Sequence, residues 1–529
     1  MIVASVLAVL LAFAIIYRRF LRRRTSDELP EPPVVRTTIP LFGHIIGMAR
    51  HGKNYYRHIR DQSRLLIVTL PIVGSRVYVV FSVPIIQSIQ KQSKLFSFEP
   101  IQAKFSTGLC GASKDAYNIL KRDMHREDGI YGAIHNAIHQ ALSPGKFLNE
   151  MNMVSAGSVL HSINDIRPGI NIKLDEWLTH EVTLATTDAV YGPYNPFRVK
   201  EIEDAFWAFE EGTTNLFLLP QCFSPKAVRS RKVVSDAFQN YYQHGYHEYA
   251  SQLIKDFYAT QLSHGYSLSD RSRFEVGNAL GMLENIYPSV FWLIFYVFSS
   301  PKALRRIRKE VSLIITTTTG EADGKQIHHH VLDLAKVNSH CPFLVSTFKE
   351  TMRVHSSGVS IRQVCQDTIL LNTYRLKKGA TILMPTISIH TDPTIWGADA
   401  LSFNYERFLS DKTATSQKEK ASSAAFRTFG GGTTLCPGRH FATTQIMAWI
   451  SMLVMRFDVE PASGRWEKPG DGRSNLANVI VKPDRDVEVR FIPRGYYNDG
   501  IWDVRIVNSE VTLSLTVDDL VDDRKLQGE

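Results

Sequence analysis

Phe429-Gly-Gly-Gly-Thr-Thr-Leu-Cys436-Pro-Gly-Arg-His-Phe-Ala442 is the stretch on which the reading of this chain turns. Consecutive glycines reach backbone angles closed to other residues and let the chain pass close to a flat ligand. Pro437 is favoured at the first position of a helix, and the apolar-rich run Phe441 to Met455 continues helically from there. A cysteine at a helix N-terminus meets unpaired N–H groups and the positive end of the dipole. Both favour thiolate, so the stretch predicts a lowered thiol pKa. A thiolate under a glycine-lined turn suits axial ligation of a haem iron.

The spacing F-x-x-G-x-x-x-C-x-G, here Phe429, Gly432, Cys436 and Gly438, resembles the haem-binding loop of the cytochrome P450 family. The plainer reading, a buried structural cysteine beside a turn, leaves the other matched positions unexplained. The resemblance implies haem b with Cys436 as the iron ligand. It also implies a mainly α fold with a small β region, preceded by one N-terminal transmembrane helix. One position departs: the family's usual Arg or His two residues before the cysteine, which pairs a haem propionate, is Thr434 here.

The chain has 529 residues, 44% hydrophobic and 21% charged, a balance that fits a globular protein with a large core. Five scattered cysteines imply no disulfide framework, which suits a reducing compartment. The net charge of +9 is spread along the chain without a nucleic-acid-binding motif, so no nucleic acid is expected as a partner. Residues 2–17 carry no charge, and Arg18, Arg19, Arg22, Arg23 and Arg24 follow. A cleaved signal peptide places its charges before the apolar core, the reverse of this order. Residues 1–24 therefore read as a single-pass anchor with its basic flank, leaving the rest of the protein cytoplasmic. The Pro-rich segment 25–45 reads as an extended hinge. Leu65–Leu70 and Arg76–Phe81, rich in β-branched and aromatic residues, read as a hairpin.

Two histidine sets lack the pattern of a metal site. His135 and His139 stand one turn apart, but Asn136 takes the place of the Glu a zinc hydrolase needs. They read as surface residues of an amphipathic helix. His328-His-His330 reads as part of a solvated connection beside the Thr- and Gly-rich stretch 316–324.

Residues 275–299 form a long apolar run interrupted by Glu284, Asn285 and Pro288. Pro288 cannot donate to the Glu284 carbonyl, so a local opening is expected beside Glu284 and Asn285. The run resembles the family's distal helix, where most members carry an acid–threonine pair for proton delivery. Here the corresponding pair is Glu284-Asn285, and the Asn with the following Pro288 resembles the subgroup of sterol 7α- and 12α-hydroxylases and prostacyclin synthase. Glu350 and Arg353 form an E-x-x-R pair at helical spacing, and Arg407 lies in a segment resembling P-E-R-F, with Tyr405 for the usual Pro. The resemblance makes these three a structural triad, Arg362 a propionate-binding residue, and Val359, Ile361 and Val479 pocket residues. The basic segment 302–311 has two readings, a solvated face or part of a docking surface for an electron-donor protein. Residues 478–483 and 486–491 resemble the family's terminal β-hairpin.

The expected organisation is an anchor (1–24), a hinge (25–45), a haem-thiolate catalytic domain (46–494) and an acidic tail (495–529). The tail has eight acidic and three basic residues and no counterpart in the family. The resemblance implies oxidation of a lipophilic sterol-, terpenoid- or polyketide-like molecule, as in fungal-type specialised metabolism. It implies O2 as co-substrate, electrons from NADPH through NADPH–cytochrome P450 reductase, and residence in the endoplasmic reticulum membrane. A reductase-independent isomerase and a non-catalytic lipid-binding protein are the alternatives.

Overall fold

The computed structural model describes residues 29–72, 74–126, 128–322, 325–409, 424–472 and 478–506. The expected anchor and residues 507–529 of the tail lie outside the described residues. The described chain is mainly helical and forms two compact units.

The first unit takes the chain to Ile101, then Val359–Thr391 and Gly432–Thr434. Its strands are β1 (Ile67–Ile72), β2 (Ser75–Val80), β3 (Phe96–Ser97), β7 (Val359–Val364), β8 (Thr368–Leu370), β9 (Tyr374–Leu376) and β10 (Thr381–Pro385). Five of them make one sheet in the order β1-β2-β10-β7-β3. The β1–β2 hairpin is antiparallel, as expected from its richness in β-branched and aromatic residues. The Pro-rich segment lies extended along β1, where the Val35 amide donates to Thr69 O at 3.0 Å and the Thr69 amide to Pro33 O at 2.8 Å. Val68, Leu70, Val77 and Val79 pack with Tyr55, Tyr56 and Ile59 as this unit's core.

The second unit holds the long helices α1 (Ile130–Leu142), α2 (Lys146–Asn164), α3 (Leu174–Tyr191), α4 (Lys200–Glu210), α5 (Pro225–Gln243), α6 (Gln252–Ser263), α7 (Leu268–Leu283), α8 (Ile286–Phe298), α9 (Pro301–Ser312), α10 (Pro342–His355) and α11 (Arg439–Arg456). Ser267 caps α7 by accepting from the Asp270 amide, and Ser300 caps α9 by accepting from Ala303, with Pro301 next. Leu268–Phe298 is long and apolar enough to cross a membrane but lies mostly inside the fold. Its interior is set by α8, every residue of which is buried.

Two small sheets depart from the sequence reading. Strands β4 (Asn171–Lys173), β11 (Phe457–Pro461) and β12 (Glu488–Pro493) form one, in the order β11-β12-β4. Residues 478–483 are therefore not the hairpin partner of 486–491; β12 pairs with Phe457–Pro461 instead. Pro483 has no N–H to give a ladder, and the backbone of 479–481 bonds instead to Asn285, Trp292, His355 and Ser357, described below. The other sheet has the order β13-β6-β5, from β5 (Ile315–Ala322), β6 (Lys325–Asp333) and β13 (Ile501–Arg505). His328-His-His330 thus lies within a strand rather than in a solvated connection. His330 is fully buried, 2.8 Å from Thr317 Oγ1 and among the rings of Tyr496, Tyr497 and Trp502. Those rings arrive with the tail, which no local pattern reveals. His135 and His139 are exposed on α1 with ring centroids 4.3 Å apart. No cluster of three metal-ligating side chains occurs among the described residues.

Candidate active site

The cysteine loop is built by backbone. The Cys436 amide donates to Phe429 O at 2.8 Å, closing a turn in which Gly430 has φ 82° and Gly432 φ 60°. A side chain at Gly432 would be strained by that angle and would place Cβ 2.9 Å from Gln90 Cβ. Helix α11 begins at Arg439 with Gly438 as its N-cap, so Pro437 precedes the helix rather than opening it. The Gly438 and Arg439 amides still point at Cys436 and, with the Arg439 charge, pull its thiol pKa down. Burial outweighs them and holds the thiol above its ordinary value, the reverse of the direction expected from the dipole. A coordinating metal ion deprotonates a thiol outright.

In the first unit, Arg362 on β7 is 2% exposed. Its Nη1 donates to Ile361 O at 2.7 Å and its Nη2 to Thr434 Oγ1 at 2.5 Å. No carboxylate among the described residues pairs with it, and burial lowers its pKa to about 10. Thr434 thus orients a cation where the family usually supplies one. A buried guanidinium held by two neutral oxygens is suited to a carboxylate such as a haem propionate, so the residues present fit the group. Val359 and Ile361 lie half-buried on the same strand, opposite Pro385 and Leu383.

The long apolar helical run opens at Glu284 and Asn285, between α7 and α8. Ser289, one residue after Pro288, donates its hydroxyl to Asn285 O at 2.6 Å, satisfying a carbonyl at the break. Asn285 Oδ1 accepts from the Ile480 amide at 3.0 Å. Asn478 Nδ2 donates to Glu284 Oε1 at 2.6 Å. Trp292 Nε1 donates to Val481 O at 2.7 Å, the Val481 amide to His355 O at 3.0 Å, and the Ser357 amide to Val479 O at 2.8 Å. The segment 478–481 is therefore fastened to α8 and to the end of α10. Glu284 has its pKa pushed up to about 8, first by burial and then by the charge of Glu210, against Lys482 and the Asn478 bond. Phe441 shares an apolar cluster with Ala279, Leu280 and Leu283, which ties the start of α11 to the turn preceding the break.

Glu350 and Arg353 are buried on α10 and joined by two hydrogen bonds, 2.7 and 2.8 Å. Arg407 Nε lies 3.1 Å from both Glu350 oxygens, and the Asn404 amide donates to Glu350 Oε1 at 2.9 Å. The remaining donors of the two arginines go to Ala400 O, Trp396 O and Asp399. Tyr405, where the family has Pro, sends its hydroxyl to Tyr296 O at 2.9 Å. Asn478, Glu210, Lys482 and Asp399 escaped the sequence reading, because none belongs to a spaced motif.

A cysteine under a left-handed glycine turn, a buried guanidinium held by neutral oxygens, and a helix broken beside a buried acid are each compatible with a haem-thiolate type of protein. The cytochrome P450 family model matches residues 213–489. The cytochrome P450 monooxygenase nodJ of Hypoxylon pulicicidum is 33% identical over 519 residues, 97% of this chain and 99% of the relative. A cytochrome P450 monooxygenase of Gibberella zeae is 27% identical over 509 residues, 92% of this chain and 93% of the relative. The 25-hydroxycholesterol 7-alpha-hydroxylase of Rattus norvegicus is 25% identical over 445 residues, 77% of this chain and 97% of the relative. The chain belongs to the cytochrome P450 family and is an oxidoreductase of the monooxygenase type. The family implies a haem-thiolate centre and dioxygen as co-substrate.

Proposed function

We propose that this protein hydroxylates, or oxidises in a related way, a sterol-, terpenoid- or polyketide-like molecule in specialised metabolism. A relative named 25-hydroxycholesterol 7-alpha-hydroxylase supports a sterol-like substrate, and two fungal monooxygenases support a place in specialised metabolism. In this reading Cys436 is the iron ligand, and Phe429, Gly432 and Gly438 shape its loop. Arg362, positioned by Thr434, holds a propionate. Bound haem supplies dioxygen activation, with the thiolate's electron density favouring O–O cleavage. The carrying observation for the chain's own part is Glu284: a buried carboxyl, raised to about 8, at the break in the distal helix. It is a proton donor at neutral pH, which general-acid participation requires. Asn285 is a positioning residue, since its side-chain oxygen already accepts the Ile480 amide. Glu350, Arg353 and Arg407 lock α10, and Val359, Ile361 and Val479 contact substrate.

Electrons come from NADPH through its reductase. Lys302, Arg305 and Lys309 of α9 are exposed and available for an acidic partner, while Arg306 and Arg308 are engaged with Glu406 and Asp458. Residues 1–24 anchor the protein in the endoplasmic reticulum membrane, 25–45 connect the anchor, and 46–494 form the cytoplasmic catalytic domain. The test is turnover of candidate sterols and terpenoids with and without NADPH and reductase, under oxygen-18. Labelled product that requires both supports the reading; conversion without electrons, or hydroxylated product without label, overturns it in favour of an isomerase or a water-derived hydroxyl.

A further inference from the structure

Beside the helix break, two buried carboxyls share one amide and one ammonium. Asn478, fully buried, donates Nδ2 to Glu284 Oε1 at 2.6 Å and to Glu210 Oε1 at 2.9 Å. Glu210, the last residue of α4, is ion-paired through Oε2 with Lys482 Nζ. The two carboxyl residues are 1% and 7% exposed, whereas the Lys482 side chain keeps 21% of its surface in solvent. Lys482 Nζ lies 5.2 Å from the Trp207 ring centroid and 5.6 Å from that of Tyr287, which brackets it between α4 and α8. Asp175, at the start of α3, is a further buried carboxyl that feels both Lys482 and Asp486.

Two ionised carboxylates in one buried site repel, and one ammonium neutralises one of them. That repulsion favours a proton on Glu284. We propose that Glu210 and Lys482 reload Glu284 with protons from solvent, Asn478 being the positioning residue that holds both carboxyls on a single nitrogen. This rests on the reading of Glu284 as the distal proton donor. Each reloading moves one proton and no electron. Glu284 releases H⁺ toward the reacting oxygen and is left as carboxylate. Lys482 protonates Glu210, Glu210 hands that proton through a bridging solvent water to the Glu284 carboxylate, and Lys482 recovers one from solvent. The amide of Asn478 is not an acid–base group at neutral pH, so the carboxyls, the ammonium and that water carry the proton. The causes that shift Glu284 agree in sign: the Glu210 charge raises it, and the Lys482 charge lowers it.

The experiment uses the full-length haem protein with Glu284→Gln, Glu210→Gln, Lys482→Met and Lys482→Arg. Infrared difference spectra between about pH 6 and pH 10 follow the carbonyl stretch of a protonated buried carboxyl, around the shifted value of a desolvated acid. Among its carboxyl bands the wild type should show one titrating near pH 8 that Glu284→Gln removes. Glu210→Gln should move its midpoint down, Lys482→Met should move it up, and Lys482→Arg should restore it. In NADPH-dependent dioxygen consumption with reductase, Glu210→Gln and Lys482→Met should each slow the solvent-isotope-sensitive step about tenfold. The carbon monoxide complex of the reduced protein should keep its thiolate-type band in every variant. A midpoint and isotope effect unmoved by Glu210→Gln and Lys482→Met, with the band still lost in Glu284→Gln, overturn the reloading route and leave the donor intact. An isotope effect that Glu284→Gln does not alter overturns the donor itself. Should Glu210→Gln fail to fold, the Lys482→Met and Lys482→Arg pair decides the matter through the direction of the midpoint and its rescue.

Discussion

The cysteine loop and the helix break are built on opposite principles. The loop runs from Phe429 to Arg439, and its decisive hydrogen bond, Cys436 amide to Phe429 carbonyl, joins residues seven apart. The break takes its partners from far along the chain: Asn478 lies 194 residues from Glu284 and 268 from Glu210. A ligand geometry that local backbone can hold needs little from the rest of the fold. A buried acid kept protonated needs like charge and exclusion of water, which several elements must supply together.

Mutations should separate the two regions. Cys436→Ala should abolish the thiolate-type band of the reduced carbon monoxide complex and all NADPH-dependent turnover, while circular dichroism stays that of the wild type. Persistence of the band breaks the loop side of the comparison. Glu350→Ala strands the buried Arg353 and Arg407 guanidinium groups, and should cost about 3–5 kcal/mol in denaturant unfolding. That loss should reach haem retention in the cysteine loop while leaving the remaining fold measurable.

Glu284→Gln should leave the thiolate band intact and slow product formation at least about tenfold. It also sharpens the comparison through pH. The Glu284 carboxyl moves from 4.5 to about 8 on folding. Between those values the folded protein holds a proton that the unfolded chain has lost, so stability falls as pH rises through the window. The Gln variant lacks this dependence, and its stability relative to wild type should rise steadily from about pH 5 to about pH 8 in urea titrations. A constant difference would show that Glu284 is ionised in the folded protein. The smallest effect is expected from Asn285→Ala, which leaves the Ile480 amide without its acceptor at a cost of about 1–3 kcal/mol. Asn285→Asp, which restores the acceptor oxygen, should recover most of it.

The chain's own pattern makes the cysteine loop, the β1–β2 hairpin and the position of the helix break legible. Glycine angles, β-branched enrichment and the missing N–H of Pro288 act within a few residues. The spacing of Glu350 and Arg353 was equally local, and Arg407 was readable only through resemblance. Three readings turned over for one shared reason. The thiol of Cys436 stands above its ordinary value because burial exceeds the pull of the Gly438 and Arg439 amides. His330 sits inside a strand because Tyr496, Tyr497 and Trp502 come from the tail to cover it. Residues 479–481 leave the expected hairpin because Asn285, Trp292, His355 and Ser357 satisfy their backbone instead. The amino-acid order by itself determined which groups can ligate, cap or break a helix, since those are preferences of neighbouring residues. Only the tertiary structure decided which groups are buried and with whom they pair, since desolvation and hydrogen-bond choice depend on elements hundreds of residues apart.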